Sequence, residues 1–252
     1  MISTLDVPVL LVAGLLAGAV GTAGGIASLV SYPVLLAVGL PALSANVTNI
    51  VAVSACWPGS ALASRPELRG RGPWVRRHLL VVAAGAVIGT TLLLCTSAGV
   101  FRDVVPFLVA SGSLMLLFQP RLTARRSVHR GRADRVVLVL ALVLVAAYNG
   151  YFGAGSGVMM LALLLVTVDE HLQTANALKN MLVGAATAVS SVGLMVFGPV
   201  DWAAVAPLAV GMFIGSNIGP RVARRMPARV LRLLVAVVGL GLAVHLWLSA
   251  GS

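Results

Sequence analysis

The sequence predicts an all-helical integral membrane protein, a polytopic bundle built from two inverted-topology repeats. Three observations predict it. Charge is scarce and confined to short stretches. A glycine-rich break recurs in each half of the chain. The arginine clusters fall after the third segment of one half and before the last segment of the other. The chain is 59% hydrophobic and 10% charged, with a mean hydropathy of +1.02, whereas a soluble domain carries about 25% charged residues. Residues 7–64, 79–101, 136–168, 180–200, 202–220 and 233 onward carry no Asp, Glu, Lys or Arg. Each run is long enough for a crossing, which takes roughly 20 apolar residues. The run at 104–120 is marginal but sufficient.

The first run continues without charge from Val7 to Leu40, 34 residues. As one helix it would be about 51 Å long, against a hydrocarbon core of about 30 Å. It must fold back, and Gly24-Gly25 is the expected turn. Residues 136–168 pose the same problem, with Gly153 to Gly157 as the turn. The expected segments are 7–23, 26–40, 45–63, 78–97 and 103–119 in the first half. In the second they are 136–152, 157–168, 174–197, 203–220 and 230–249. The arms at 26–40 and 157–168 are short enough to be re-entrant half-helices. Trp57 beside Pro58 marks a kink inside the third segment. Trp74, Trp202 and Trp247 are placed as interfacial anchors.

Arginine sets the orientation, because cytoplasmic loops are enriched in basic residues. The clusters are Arg65 to Arg77, Arg121 to Arg135 and Arg221 to Arg229. The loops at 98–103 and 198–202 are poor in Arg. Ten segments with both termini outside put all three clusters in the cytoplasm. Eight segments would put the last one outside. With five segments per half, the second half enters from the opposite side, as inverted repeats require. The expected organisation is a first repeat at 1–120, a basic cytoplasmic linker at 121–135 and a second repeat at 136–252. The expected location is the bacterial inner membrane. The start lacks the basic region of a cleaved signal peptide, so the first helix is expected to be retained.

The net charge of +11 invites a nucleic-acid reading. The basic residues flank the spans, so orientation and anionic lipid account for them, and no nucleic-acid partner is expected. Cys56 and Cys95 are isolated in apolar runs and read as small core residues. The sequence has no phosphate-binding loop, metal-ligand cluster, or nucleophile paired with a base. No enzyme activity, metal or cofactor is expected.

The candidate site follows from the two breaks. Gly21, Thr22, Gly24, Gly25 and Ser28 surround the first, and Gly153, Gly155, Ser156 and Gly157 the second. A break at membrane depth frees backbone polar groups and is tolerable only in protein or beside a wet cavity. Helix N-termini after such breaks, near 26–28 and 156–158, attract anions. Close packing of small residues is the competing explanation; recurrence in both halves favours a solute-lining role. Asn46, Thr48 and Asn49 open one segment, and Asn176, Lys179 and Asn180 open its counterpart. They either cap the helix or present one polar face to a solute. Lys179 is the only lysine and lies inside a span. It either attracts an anion or snorkels to the interface. All seven carboxylates lie in loops or at ends, which disfavours a carboxylate proton relay. His171, beside Asp169 and Glu170, reads as a solvated loop residue or a gate.

At these residues the chain resembles the TauE/SafE family of sulfite exporter-type permeases. The resemblance rests on Gly18, Gly21, Gly24 and Gly25, then Tyr32-Pro33-Val34-Leu35-Leu36, Gly39-Leu40-Pro41, and Ala45 with Thr48. The second copy supplies Gly150, Gly153, Gly155, Gly157, Ala175 and Lys179, followed by Gly211, Gly215 and the 221–227 stretch. The first glycine run is interrupted by Ala23 and Ala27, and Pro33 has no partner in the second copy. The resemblance implies export of sulfite or a related organosulfonate. The expected partners are a small anion and membrane lipid, with a homodimer among the open oligomeric states. The expected function is a secondary transporter working by alternating access at the repeat interface. Its rivals are a channel-like pore and a non-transporting scaffold subunit.

Overall fold

The computed structural model describes residues 5–124, 132–168 and 171–223, with side chains over 5–114, 135–168 and 171–218. The expected segment at 230–249 lies outside the described residues. So do Asp169, Glu170, the later arginines and Trp247. Ten helices are described: α1 (Asp6–Gly24), α2 (Ala27–Ala37), α3 (Ala42–Val53), α4 (Cys56–Ala63), α5 (Gly72–Leu94), α6 (Ala98–Ala124), α7 (Arg132–Tyr151), α8 (Ser156–Thr167), α9 (Leu172–Phe197) and α10 (Trp202–Ala223). No strand occurs among these residues. Asp6–Gly24, Gly72–Leu94 and Leu172–Phe197 are long and apolar enough to cross a membrane. Their outward faces carry large apolar side chains such as Val12, Leu16, Leu80, Leu92 and Val196. An apolar exterior of this kind suits lipid, not water.

Both glycine clusters break the helix. Gly25 ends α1 at φ 78°, and Gly153 and Gly155 separate α7 from α8 at φ 83° and 82°. These are left-handed conformations that glycine adopts without a Cβ penalty. The return arms α2 and α8 have 11 and 12 residues. At 1.5 Å per residue each is about 16–18 Å long, too short to cross.

The expected single helix over 45–63 is corrected to two, α3 and α4, parted at Ser54-Ala55. Pro58 has no N–H to give the Ser54 carbonyl. Ala55 and Trp57 turn instead onto Ala52 and Ser54, in tighter i→i−3 bonds. The counterpart α9 runs unbroken. Cys95 is also corrected: it is exposed at the end of α5, while Cys56 is buried. Trp74 stacks on His78 at the start of α5, with ring centroids 4.0 Å apart.

Packing couples the two halves. The α1–α2 hairpin shares a core with α3 and α10, through Leu10, Ile26, Tyr32, Val47, Leu208 and Met212. The α7–α8 hairpin shares one with α5 and α9, through Val82, Leu142, Met160, Leu164, Leu178 and Leu182. Helix α1 lies parallel to α10: Gly211 abuts Leu11 and Leu15, and Gly215 abuts Leu15 and Ala19. Helix α7 lies parallel to α5 in the same manner, with Gly85 against Val143 and Gly89 against Ala147. The α3–α4 segment runs antiparallel to α9. Ser44 donates to the Pro199 carbonyl (2.9 Å) at one end, and Asn180 donates to Ser64 (3.4 Å) at the other. Asp201, expected in a loop, accepts from Ala204 N–H at 3.0 Å and so caps α10.

The small-residue contacts carry real energy, because helix association in lipid depends on close backbone approach. A Cβ on Gly89 would lie 2.7 Å from the Ala147 carbonyl carbon, whereas one on Gly99 meets nothing within 4 Å. Gly89→Val is therefore expected to destabilise the bundle by about 3 kcal/mol. Gly99→Ala should leave thermal unfolding of the detergent-solubilised protein nearly unchanged. Equal transition temperatures for the two variants would show that the α5–α7 contact is not tight.

Candidate functional site

The two breaks meet. Gly25 lies against Gly157, and a Cβ added to Gly157 would sit 2.5 Å from Gly25 Cα. Beside this crossing is a cavity of about 70 Å³, room for a few waters or one small oxyanion. The first break contributes Gly21, Thr22, Gly25 and Ser28 to its wall, and the second contributes Gly153, Ser156 and Gly157. Helix α4 adds Trp57 and Ser60, and α9 adds Lys179, Asn180 and Thr187. Lys179 is the one charged residue in this lining.

Lys179 is 2% exposed. It does not snorkel to the interface. Its Nζ donates to the carbonyls of Gly21 (3.3 Å) and Thr22 (3.4 Å), in the last turn of α1. Those carbonyls carry the negative end of the α1 dipole, where a cation is favoured. The ammonium therefore serves the broken helix and faces the cavity at once.

Asn176 and Asn46 have matching tasks. Asn176 Nδ2 donates to the Thr22 carbonyl at the end of α1 (3.2 Å). Asn46 Nδ2 donates to the Tyr151 carbonyl at the end of α7 (2.9 Å). Each closes the helix end of the opposite hairpin and neither lines the cavity. Asn49 accepts from Ser31, and Thr48 Oγ1 accepts from the Asp201 amide at 3.0 Å. Gly24 is the last residue of α1 and Gly155 belongs to the second turn; a Cβ on Gly155 would lie 2.9 Å from Gly112 Cα. The expected faces Asn46–Asn49 and Asn176–Asn180 therefore divide. Asn180 and Lys179 reach the cavity, and the other three asparagines hold the framework.

Helix N-termini contribute less than the sequence suggests. The amides of Ser156 and Val158 are spent on the carbonyls of Gly153 and Gly155, at 3.1 and 3.0 Å. Ser156 Oγ donates to Asn149 Oδ1 (2.7 Å), and Asn149 Nδ2 donates to Thr187 Oγ1 (3.0 Å). Asn149 and Thr187 were not singled out in the sequence. Asn149 directly precedes the Gly150 motif and is the one amide in the run 136–168, a signal that was available. Thr187 had none, since isolated threonines are common in apolar helices.

On the other side of the α7–α8 break the chain is sealed by aromatic rings. Tyr32 and Phe152 stand edge-to-face at 5.3 Å. Phe101 packs on Phe152 at 6.4 Å and on Tyr151 at 6.0 Å. Tyr32, Phe101 and Phe152 are 0–1% exposed.

Broken hairpins meeting beside a cavity that holds a buried lysine, inside an apolar helical bundle, suit a membrane transporter. The chain belongs to the sulfite exporter TauE/SafE family, whose model matches residues 9–246. It is similar to a Sinorhizobium protein named probable membrane transporter protein ORF9, 28% identical over 94% of this chain and 90% of that one. It is also similar to the Escherichia coli K12 probable membrane transporter protein YfcA, 28% identical over 94% of this chain and 88% of that one. A Haemophilus influenzae probable membrane transporter protein is 25% identical over 91% of this chain and 90% of that one. No solved structure matches the chain.

Proposed function

We propose that the chain exports a small oxyanion, sulfite or a related sulfonate, by exposing one cavity alternately to the two sides of the cell membrane. The observation that carries this reading is the cavity at the Gly25–Gly157 crossing, lined by a single formal charge, the cation Lys179. A lining with one ammonium, several hydroxyls and no carboxylate favours anions over cations.

The moving parts are two inverted repeats. Three features support this. Equivalent glycines, Gly25 and Gly157, touch each other, as residues on a two-fold axis do. Helix α1 pairs with α10 as α7 pairs with α5. The counterparts α3–α4 and α9 run in opposite directions. Rocking one repeat against the other around such a crossing gives alternating access. The cavity lies toward Ser64 and the Arg65–Arg77 loop, the cytoplasmic side by charge, while the aromatic seal closes the other. Both termini are then outside. Export of an anion is helped by an inside-negative potential, about 2.3 kcal/mol per charge per 100 mV. No carboxylate relay is required.

Flux from vesicles holding the purified protein tests the reading. Saturable sulfite efflux, inhibited by small sulfonates and indifferent to cations, is expected. Current without saturation would mean a pore. Silence across sulfite, sulfonates, sulfate and halides would mean a scaffold.

A further inference from the structure

Several buried polar atoms without a hydrogen-bond partner cluster away from the cavity. Asn46 Oδ1, Asn49 Nδ2, Thr90 Oγ1 and Ser190 Oγ are shielded and unpartnered. Asn46, Asn49 and Ser190 are 0% exposed and Thr90 is 5% exposed. Asn46, Thr90 and Ser190 converge on the end of α7. A Cβ on Gly150 would lie 3.0 Å from Ser190 Oγ and 3.1 Å from the Thr90 amide nitrogen. Asn46 is bonded to the neighbouring Tyr151 carbonyl, and Asn49 is one turn further along the same face of α3. Ser191 donates to the Ile50 carbonyl at 3.2 Å, which joins α3 to α9 at this level.

Such groups are rare in folded proteins. Each costs roughly 1–3 kcal/mol when left unsatisfied, and a bilayer offers no water to relieve them. A packing role does not explain them, because an apolar side chain of the same shape would fill the space without that cost.

Their positions supply the reason. Asn46 caps α7 as Asn176 caps α1. With those two matched, Asn49 corresponds to Lys179, and Ser190 to Ser60, at equal spacing along the chain. Lys179 and Ser60 line the cavity. Two of the orphaned groups, Asn49 and Ser190, are thus the counterparts of the cavity wall in the opposite half, and Thr90 adjoins Ser190 at Gly150.

We infer that Asn49, Thr90 and Ser190 line a second, presently sealed vestibule, which opens to the outside when the described cavity closes and then holds the departing oxyanion and its water. This rests on the transport reading and names the outer half of its route. The vestibule carries amide and hydroxyl donors and no ammonium, because Asn49 stands where its counterpart has Lys179. An anion is therefore held more weakly there, which suits release.

Thiol labelling from defined sides tests it, in a chain whose Cys56 and Cys95 are replaced by alanine. A membrane-impermeant reagent added outside should modify Ser190→Cys and Asn49→Cys ~10-fold faster than Val192→Cys, which faces lipid on the same helix as Ser190, because only a hydrated thiol ionises and reacts. The same reagent added inside should modify Ser60→Cys. No modification of positions 49 and 190 from outside, with Ser60→Cys reactive from inside, overturns the vestibule. An unreactive Ser60→Cys removes the cavity itself from the route, which is a failure of the transport reading. Ser190→Ala and Thr90→Val provide a check without cysteines. Undiminished thermal stability with slowed sulfite flux is expected, and unchanged flux overturns the inference.

Discussion

Lys179→Met should lower sulfite efflux at least about tenfold, a rise of about 1.4 kcal/mol in the rate-limiting barrier. Membrane insertion should be unaffected. The lysine is the only formal charge lining the cavity, so removing it takes away the long-range attraction for any anion. The same change leaves the Gly21 carbonyl without a side-chain donor and the Thr22 carbonyl with Asn176 alone. Hydrogen bonds to a charged group are worth about 1.5–3 kcal/mol, so a lower unfolding temperature should accompany the loss of flux. Lys179→Arg separates the two roles. It keeps the charge, but its larger planar head does not fit the paired carbonyls and crowds a small cavity. Its flux should fall while its stability holds better than that of the methionine variant. Wild-type efflux in the methionine variant would remove Lys179 from the site.

Gly25→Ala should be strongly damaging, because strain and clash act together there. Its backbone is left-handed at φ 78°, and a Cβ there would lie 2.7 Å from Gly157 Cα. The strain of a left-handed alanine costs about 1–2 kcal/mol, and the clash adds an overpacking term of about 1–3 kcal/mol. The clashing atoms are backbone, which cannot rotate aside. Gly39→Ala isolates the strain: φ is 90° there, but nothing lies within 4 Å of the added methyl. Gly39→Ala should be folded and active. Gly25→Ala should be poorly folded, or folded with the two breaks forced apart and flux lost. Matching melting temperatures and fluxes for the two would show that the crossing is not tight.

The hairpins were legible in the sequence because length and charge leave no alternative: 34 uncharged residues do not fit one crossing. Glycine at the break was legible because few other residues tolerate positive φ. The Ser54-Ala55 break was half legible. Pro58 predicts a kink, yet whether a proline bends or parts a helix depends on what packs around it. The work of Asn46 and Asn176 was not legible at all. Each bonds a carbonyl more than a hundred positions away in the chain, and spacing within one helix says nothing about that. Lys179 illustrates both sides. Its uniqueness marked it for function, but its docking on the α1 carbonyls depends on how the opposite hairpin sits.

On the proposed mechanism, two broken hairpins hold an oxyanion between them. Diffraction from crystals soaked in selenite, a heavier analogue of sulfite, tests it most directly through the anomalous signal of selenium. A peak is expected in the cavity beside Gly25 and Gly157, within hydrogen-bond reach of Lys179 Nζ. A cavity without selenium, with the anion found only along the arginine loops, would contradict it.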